Sequence, residues 1–347
     1  MKALEIGIIG CGSIARSHIK AYREIGGNRV SWVYDVSAPA AEALAAEMGA
    51  EVAPSVAWLA HESGVDAVSV CSPPGAHLEA CLPLLQAGVA VLCEKPLAAT
   101  VEHAAQLAAA VEHTSSVFMV GYCHRFHPPV VRLKQLIDAG ELGRPILFLC
   151  TFSGQLNIIN NHRGDRTLSG GGCLMDNGAH AIDLLRHLFG EPTNVQALAS
   201  NVVQDRAVED VSAVQLQVGS AVAQIVNSYS TPVAANRLEW IGDRGAAVIN
   251  YFEPGVAELL YRTSVDAGWK PVDCSGLRHR LIAEVEHFVE CVRTGHEPLV
   301  GVADGLRANQ LVEQAYQSAR HVKRGGESHA LGSVPPTARH DPSGMLT

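Results

Sequence analysis

Two side chains of one segment, Asp176 and His180, have the chemistry and the spacing for proton transfer. They are four residues apart in a stretch predicted to be helical, so both lie on one face, one turn apart. An imidazole titrates near neutral pH and can accept a hydroxyl proton, and a nearby carboxylate can orient the ring. A helix-stabilising surface pair and a metal site are the alternatives. Because the sequence supplies no clustered ligand set beyond His187, we predict no metal.

A third candidate, Lys95, follows a predicted buried strand in the sequence Glu94-Lys95-Pro96. Its ammonium group could hold the oxygen of a reacting hydroxyl at the edge of the sheet. The alternative is a solvated lysine before the proline that ends the strand. Lys95, Asp176 and His180 are therefore the candidate catalytic residues, and Lys95 and His180 are also candidate substrate contacts.

The segment Gly10-Cys11-Gly12-Ser13-Ile14-Ala15 joins a predicted strand to a predicted helix. Glycines in this context permit a tight turn and the close approach of a pyrophosphate, for which the helix N-terminus offers N–H groups. Asp35 ends the second predicted strand, where a carboxylate accepts hydrogen bonds from ribose hydroxyls and repels the 2′-phosphate of NADP. An ordinary glycine-rich turn with a surface aspartate is the alternative. The predicted cofactor is NAD, bound by Gly10, Gly12, Ser13, Ile14 and Asp35.

Two later segments follow predicted strands of the same sheet, where ligands meet the carboxyl ends of the strands. One contains Ser72, Pro73 and His77, and the other contains Glu94 and Lys95. We predict that these five residues also contact the cofactor. A Pro-Pro-Gly turn such as that at 73–75 is equally typical of any connection from a strand to a helix.

A polar loop precedes the Asp176 segment, and three glycines, Gly170 to Gly172, end it. Amide and guanidinium groups suit the recognition of several hydroxyls, and glycines allow close approach of the chain or a substrate. We predict substrate contacts for Asn157 and Arg163. A solvated surface loop is the alternative.

The elements that must position these residues fall into two groups. Apolar runs at 6–9, 30–34, 67–71, 90–93 and 117–120 alternate with helical stretches at 18–25, 38–48, 76–87 and 101–113, as in parallel βαβ units. After residue 123, a helix at 173–189 and hairpins around 219–220 and 242–245 predict a mixed, mostly antiparallel sheet with few helices. The predicted fold class is α/β: an N-terminal doubly wound Rossmann domain at 1–123, an α/β domain at 124–325 and a tail at 326–347.

Composition restricts the partners and the location. The chain has 347 residues, a formal net charge of −9 and no basic runs, so nucleic acid is not an expected partner. Neither a signal peptide nor an apolar run of about 20 residues is evident, which disfavours secretion and a membrane partner. Nine cysteines without a C-x-x-C pair indicate reduced thiols, as in a cytoplasmic protein.

Together, these motifs resemble the glucose-fructose oxidoreductase, inositol dehydrogenase and MocA (Gfo/Idh/MocA) family over about residues 4–325. The combination of Glu-Lys-Pro with Asp-x-x-x-His is the most specific part of the resemblance. The matching segments are Glu94-Lys95-Pro96, the run from Gly121 to Pro128, Gly170 to Gly172, the run from Asp176 to Asp183, and Glu209-Asp210.

The resemblance implies a catalytic role for Asp176 and His180 together with Lys95, and a position at the active site for Arg125. We expect Arg125 and Asn177 to contact the substrate. It also implies a homodimer or homotetramer. The expected activity is NAD-dependent oxidation of a secondary hydroxyl of a sugar, amino sugar or cyclitol. The alternatives are an NAD-dependent glycoside hydrolase that oxidises its sugar transiently, and a non-enzymatic NAD-binding sensor.

Overall fold

The computed structural model describes residues 3–251 and 258–321. The first sheet is parallel and has six strands. The strand order is β3-β2-β1-β4-β5-β6. The strands are β1 (Leu4–Ile9), β2 (Asn28–Tyr34), β3 (Glu51–Val52), β4 (Ala67–Val70), β5 (Ala90–Glu94) and β6 (Phe118–Gly121). Strands β4, β5 and β6 are buried along their whole length, as expected for strands covered on both faces.

Five helices connect these strands: α1 (Ser13–Ile25), α2 (Ala38–Met48), α3 (Val56–His61), α4 (His77–Gln86) and α5 (Val101–Glu112). The chain leaves β1 in one direction toward β2 and later returns to its other side with β4, so the strand order reverses between β1 and β4. The carboxyl ends of strands at such a reversal form the ligand crevice of doubly wound sheets. The predicted Rossmann architecture is confirmed. The sequence pattern did not predict β3 and α3, which are only 2 and 6 residues long.

Within the described residues, the second sheet has nine strands in the order β14-β13-β12-β11-β7-β10-β9-β8-β15. Only β10 with β7 and β15 with β8 pair in parallel, so the sheet is mixed and mostly antiparallel, as predicted. Its strands are β7 (Pro145–Gln155), β8 (Asn194–Ser200), β9 (Val211–Val218), β10 (Ala221–Ser228), β11 (Ser230–Gly242), β12 (Gly245–Asn250), β13 (Leu259–Thr263), β14 (Lys270–Pro271) and β15 (Arg320–His321).

The remaining helices are α6 (Pro128–Asp138), α7 (Arg166–Ser169), α8 (Ala179–Leu188), α9 (Arg280–Thr294) and α10 (Val302–Ser318). The single helix predicted over 173–189 is wrong in one respect, because a π-helical turn, Leu174–Gly178, precedes α8. Gly178 packs closely there, since a Cβ on it would lie 2.8 Å from Leu174 Cδ1 and 3.1 Å from Asn227 Nδ2. Within the described ranges, no helix is both long and apolar enough to cross a bilayer. The predicted tail at 326–347 lies outside those ranges.

Helices from the end of the described chain pack back onto the first sheet. The N–H of Val120 in β6 donates to the carbonyl of Val300 at 3.0 Å, and Asn309 of α10 donates to the carbonyl of Ala98 at 2.7 Å. Helix α9 packs on α1 and α10 on α5. The two sheets are thus held together by elements distant in sequence, and the boundary at residue 123 remains a prediction.

A buried ion pair joins three of these segments. Arg125, in the 3₁₀ turn Cys123–Phe126, donates from Nε and Nη2 to Asp183 of α8, at 2.9 and 2.6 Å. Its Nη2 also lies 3.0 Å from Asp304 of α10. Both Arg125 and Asp183 are buried, so each charge depends on the other for compensation.

Replacing Asp183 by Ala should therefore lower the free energy of unfolding by about 3 kcal/mol, because it leaves a buried guanidinium with only part of its counter-charge. Urea unfolding followed by circular dichroism measures the change. The matched control is Glu47→Ala, which breaks an exposed pair with Arg16 and should cost at most about 1 kcal/mol. Equal losses in the two variants would contradict this assignment.

Candidate active site

The glycine loop after β1 lies at the reversal of the strand order. Gly10 has a φ of 90°, and a Cβ on it would lie 2.6 Å from the backbone of Cys71 and Ser72, so the loop packs tightly against the end of β4. Gly12, in contrast, faces open space. It is the N-cap of α1 without a side-chain hydrogen bond, which leaves N–H groups of the first turn, at Ser13 and Ile14, for an anionic ligand.

Asp35 is held beside this loop by two backbone hydrogen bonds. Its Oδ2 accepts the N–H of Cys11 and its Oδ1 accepts the N–H of Ser37, each at 2.8 Å. A carboxylate has about four acceptor positions, so two remain for ribose hydroxyls. The sequence predicts that a dinucleotide binds at this loop. The open space at Gly12, the free N–H groups at the start of α1 and the fixed Asp35 carboxylate fit such a ligand.

The segment after β4 contains three of the predicted cofactor contacts, Ser72, Pro73 and His77. The Ser72 hydroxyl is buried and has no partner within the described residues, so it can bond to a ligand group beside Pro73. His77 is fully buried, with Nε2 2.8 Å from the carbonyl oxygen of Ser72 and Nδ1 3.1 Å from that of Pro96. Burial lowers its pKa. The ring of His77 thus ties two backbone segments together, and its contact with the cofactor stays a prediction.

Glu94 likewise faces the interior. Its Oε1 lies 3.0 Å from His18 Nε2, and its Oε2 accepts the N–H of Lys95 at 3.1 Å. Burial alone would raise the pKa of Glu94, but His18 and Lys95 hold it below its ordinary value. The contact of Glu94 with the cofactor likewise stays a prediction. In the structure, its carboxylate supports the backbone at Lys95.

Lys95 and Asp176 form an ion pair that joins the end of β5 to the π-helical turn. Lys95 Nζ donates to Asp176 Oδ1 and, at 3.3 Å, to its backbone carbonyl oxygen. Arg163 Nε and the Tyr229 hydroxyl both donate to Asp176 Oδ2, at 2.8 and 2.7 Å. Burial opposes ionisation, but the charges of Lys95 and Arg163 keep the pKa of Asp176 well below its usual range. Asp176 is therefore a carboxylate.

His180 is not oriented by Asp176, contrary to our prediction. Both carboxylate oxygens are bound by other residues, and His180 Nδ1 is buried without a hydrogen-bond partner among the described residues. The imidazole instead lies 4.4 Å from the ring of His124 and 5.9 Å from the ring of Tyr122, measured between centroids. Burial, with the nearby charge of Lys95, lowers the pKa of His180 well below its usual value. The ring is therefore a neutral base.

The residues predicted to contact the substrate are not all at this site. The guanidinium of Arg125 is buried with Asp183 and Asp304 and donates to the carbonyl of Leu299 at 3.2 Å, so these contacts do not support the predicted substrate role. Asn157 is exposed on the loop, and its Oδ1 accepts the N–H of Ile159 at 2.9 Å. Asn177 is half-buried beside Asp176. Of this group, Arg163 reaches the ion pair directly.

Sequence reasoning missed two supporting residues. Tyr229, directly after β10, donates to Asp176 although the two are 53 residues apart in the sequence. No local sequence pattern predicts this contact. Glu209, which was noted only as part of the family resemblance, accepts the N–H groups of Gly172 and Leu174 at 3.1 and 2.9 Å. The hydroxyl of Tyr316 also donates to Glu209 at 2.9 Å. Glu209 therefore fixes the glycine run and the first turn that carries Asp176.

The chain is similar to known proteins along most of its length. Residues 4–122 match a family model described as an oxidoreductase family with an NAD-binding Rossmann fold, and residues 130–248 match the GFO/IDH/MocA C-terminal domain. The D-apiose dehydrogenase of Paraburkholderia graminis is 27% identical, with 100% of this chain and 95% of the relative covered. The inositol 2-dehydrogenase of Rhizobium meliloti is 28% identical, with 92% and 98% covered. A levoglucosan dehydrogenase solved with NADH and levoglucosan shares the fold, with a TM-score of 0.85, 22% identity, and 91% and 97% covered.

The effect of Lys95 on the imidazole can be tested directly. Replacing Lys95 by Met should raise the pKa of His180, because it removes a positive charge and leaves the Asp176 carboxylate less compensated. Titration of the imidazole ring signals by NMR measures the shift. Lys270→Met, which removes an exposed lysine paired with Asp266, should leave the pKa of His180 unchanged. A pKa that falls in the Lys95 variant would contradict the proposed geometry.

Proposed function

Because the chain belongs to the Gfo/Idh/MocA oxidoreductase family, we propose that it is an NAD-dependent dehydrogenase that oxidises a secondary hydroxyl of a sugar, amino sugar or cyclitol. The observation that carries this proposal is a neutral imidazole at His180, whose Nδ1 has no partner among the described residues, beside the Lys95–Asp176 ion pair. A neutral base and a fixed cation are what the removal of a hydroxyl proton requires. The relatives named for apiose and inositol act on molecules of this class.

Each of the three residues has a distinct role in the proposed mechanism. His180 accepts the proton of the substrate hydroxyl. Lys95 has three N–H donors, two of which are bound to Asp176, so one remains for the substrate oxygen. Asp176 keeps the ammonium group in place and balances its charge. NAD, when bound by Gly10, Gly12, Ser13, Ile14 and Asp35, supplies the hydride acceptor.

The geometry supports a substrate without a phosphate group. Arg163, which reaches the site, is engaged by Asp176 and so is not free to form a separate phosphate clamp. We propose that Asn177, half-buried beside Asp176, contacts a further hydroxyl, and that Asn157 does so from the loop. A small polyhydroxylated molecule uses such amide contacts well.

A substrate screen tests the function. Polyols, inositols, aldoses, amino sugars, sugar acids and sugar phosphates are each incubated with enzyme and NAD, and NADH formation is followed by absorbance. We expect turnover of at least one neutral or amino compound. Turnover restricted to sugar phosphates would contradict the substrate class. Hydrolysis of a glycoside without NADH release would favour the hydrolase alternative.

We also propose that the protein is cytoplasmic and forms a homodimer or homotetramer. All nine cysteines are free thiols, and eight are buried, which fits a reducing compartment. The second sheet exposes apolar side chains such as Leu198 and Val222, at 50% and 52% of their surface, which a second copy could cover. Light scattering after size-exclusion chromatography gives the oligomeric state.

Replacing His180 by Ala should lower kcat by about a hundred- to ten-thousand-fold, because it removes the proton acceptor. The affinity for NAD should be unchanged, since the glycine loop and Asp35 lie on other segments. Single-turnover NADH formation at saturating NAD measures the rate, and fluorescence titration measures NAD binding. A near-wild-type rate would exclude His180 as the base.

A double-mutant cycle tests whether Asp176 acts through Lys95. Because Asp176 holds Lys95 and not His180, the rate losses of Asp176→Asn and Lys95→Ala should combine to less than their product. The two losses would multiply if each residue acted alone. Rates of the two single variants and the double variant, measured under one set of conditions, decide between these outcomes.

Replacing Asp35 by Ser should relax the preference for NAD over NADP, because the carboxylate no longer repels the 2′-phosphate. The ratio of kcat/KM for the two cofactors measures the preference. Glu47→Gln, which like Asp35→Ser removes one negative charge but at an exposed position on α2, is the control and should leave the ratio unchanged. A wild-type enzyme that prefers NADP would refute the role given to Asp35.

A further inference from the structure

The proposed base His180 lies in a group of metal-ligating side chains, and the other two members, Cys123 and His124, have no role in the proposed mechanism. We propose that Cys123, His124 and His180 form a binding site for zinc or a similar thiophilic divalent cation, and that this metal inhibits the enzyme. Cys123 and His124 belong to the 3₁₀ turn after β6, and His180 is the second residue of α8. The turn and the helix are thus the two walls of the site.

The distances are close to those of a metal centre. The Cys123 sulfur and one ring nitrogen each of His124 and His180 lie within 4.8 Å of one another. Zinc bonds of about 2.3 Å to sulfur and 2.05 Å to nitrogen in a tetrahedron place these atoms about 3.4 to 3.6 Å apart. Side-chain rotations that draw the three atoms together by about 1 Å therefore complete the ligand set. Three protein ligands leave one position for water or a substrate hydroxyl.

The imidazole nitrogens are available for a metal. Nδ1 of His124 and Nδ1 of His180 are both buried and have no hydrogen-bond partner in the part of the chain that the structure describes. A buried nitrogen without a partner is unfavourable, and a metal ion satisfies it.

A second buried group, His18, Glu94 and Glu284, has comparable spacing but is less suitable. His18 Nε2 lies 3.0 Å from Glu94 Oε1 and Nδ1 lies 3.2 Å from Ser69 Oγ, so both ring nitrogens are already engaged. This group also lacks a thiol, which is the ligand that selects zinc among the common divalent ions. We therefore assign the metal to the Cys123 group, and the other group becomes an alternative that the experiment distinguishes.

Inhibition follows from the electronic structure of imidazole. A neutral ring has one nitrogen with a lone pair and one that carries a proton, so a metal bound to the lone pair leaves no basic nitrogen. Metal-bound His180 is therefore unable to accept the hydroxyl proton. This consequence, unlike the binding site itself, rests on the proposed function.

Cobalt binding tests the site without any activity assay. Metal-free enzyme is titrated with Co²⁺, and the stoichiometry is measured by equilibrium dialysis while the absorbance spectrum is recorded. We expect one cobalt per chain and a thiolate-to-cobalt charge-transfer band in the near ultraviolet. Cys123→Ala should lose that band, and His124→Gln should weaken binding at least about tenfold. The matched control is Cys150→Ala, which removes another buried thiol and should retain the band.

Zinc inhibition tests the consequence. The wild type should lose dehydrogenase activity as Zn²⁺ is added and recover it with EDTA, in assays free of chelating thiols. Cys123→Ala should keep its metal-free activity, and its half-inhibitory zinc concentration should rise at least about tenfold. Equal inhibition of this variant and the wild type would overturn the proposal. Loss of metal binding in Glu284→Gln, with binding retained in Cys123→Ala and His124→Gln, would move the site to the second group and also overturn it.

The two proposals fail in different ways. If no substrate in the screen is oxidised but the thiolate-to-cobalt band is present and depends on Cys123, the metal site stands and the dehydrogenase function does not. If a substrate is oxidised but no thiolate-bound cobalt forms, the function stands and the metal site is refuted. Circular dichroism of each variant confirms that a lost signal does not come from unfolding.

Discussion

The ion pair between Lys95 and Asp176 is the interaction on which the arrangement of the site depends. The two residues are 81 positions apart in the sequence, and both are largely withdrawn from solvent, with 13% and 19% of their side chains exposed. Charges in such a place are stable only when they are paired and hydrogen bonded. The pair therefore fixes the distance between the end of β5 in the first sheet and the π-helical turn that leads into α8.

Hydrogen bonds from other polar groups hold each member of the pair in position. On the lysine side, Glu94 accepts the Lys95 N–H and is itself held by His18, while His77 fixes the backbone at Pro96. On the aspartate side, Arg163 and Tyr229 occupy the second carboxylate oxygen. These contacts leave Lys95 and Asp176 little freedom to move. A site that is fixed before the substrate arrives loses less free energy to reorganisation during the reaction.

The parts that could be read from the sequence are those that depend on short stretches of chain. The βαβ alternation, the glycine loop with Asp35 and the hairpin at 219–220 each reflect local periodicity or turn chemistry, and the structure contains them. The errors concern partners that are remote in sequence. Asp176 was paired with His180 because of their spacing, whereas its actual partners are Lys95, Arg163 and Tyr229. Similarly, the family resemblance places Arg125 at the substrate, whereas Asp183 and Asp304, which neutralise it in the structure, are 58 or more positions away in the sequence.

The same charge acts on both partners of the proposed proton transfer. The ammonium group of Lys95 lowers the pKa of His180 and so weakens it as a base. In the proposed mechanism, the third N–H of Lys95 binds the substrate oxygen and so also stabilises the negative charge that develops there when the hydroxyl proton leaves. Because both effects come from one cation, the weaker base is matched by a more acidic hydroxyl. Asp176 limits both effects, since it neutralises part of the charge of Lys95. How tightly Asp176 holds Lys95 thus sets the basicity of His180 relative to the acidity of the hydroxyl. Arg163 and Tyr229, which bind Asp176, therefore affect the proposed proton transfer without needing to touch the substrate.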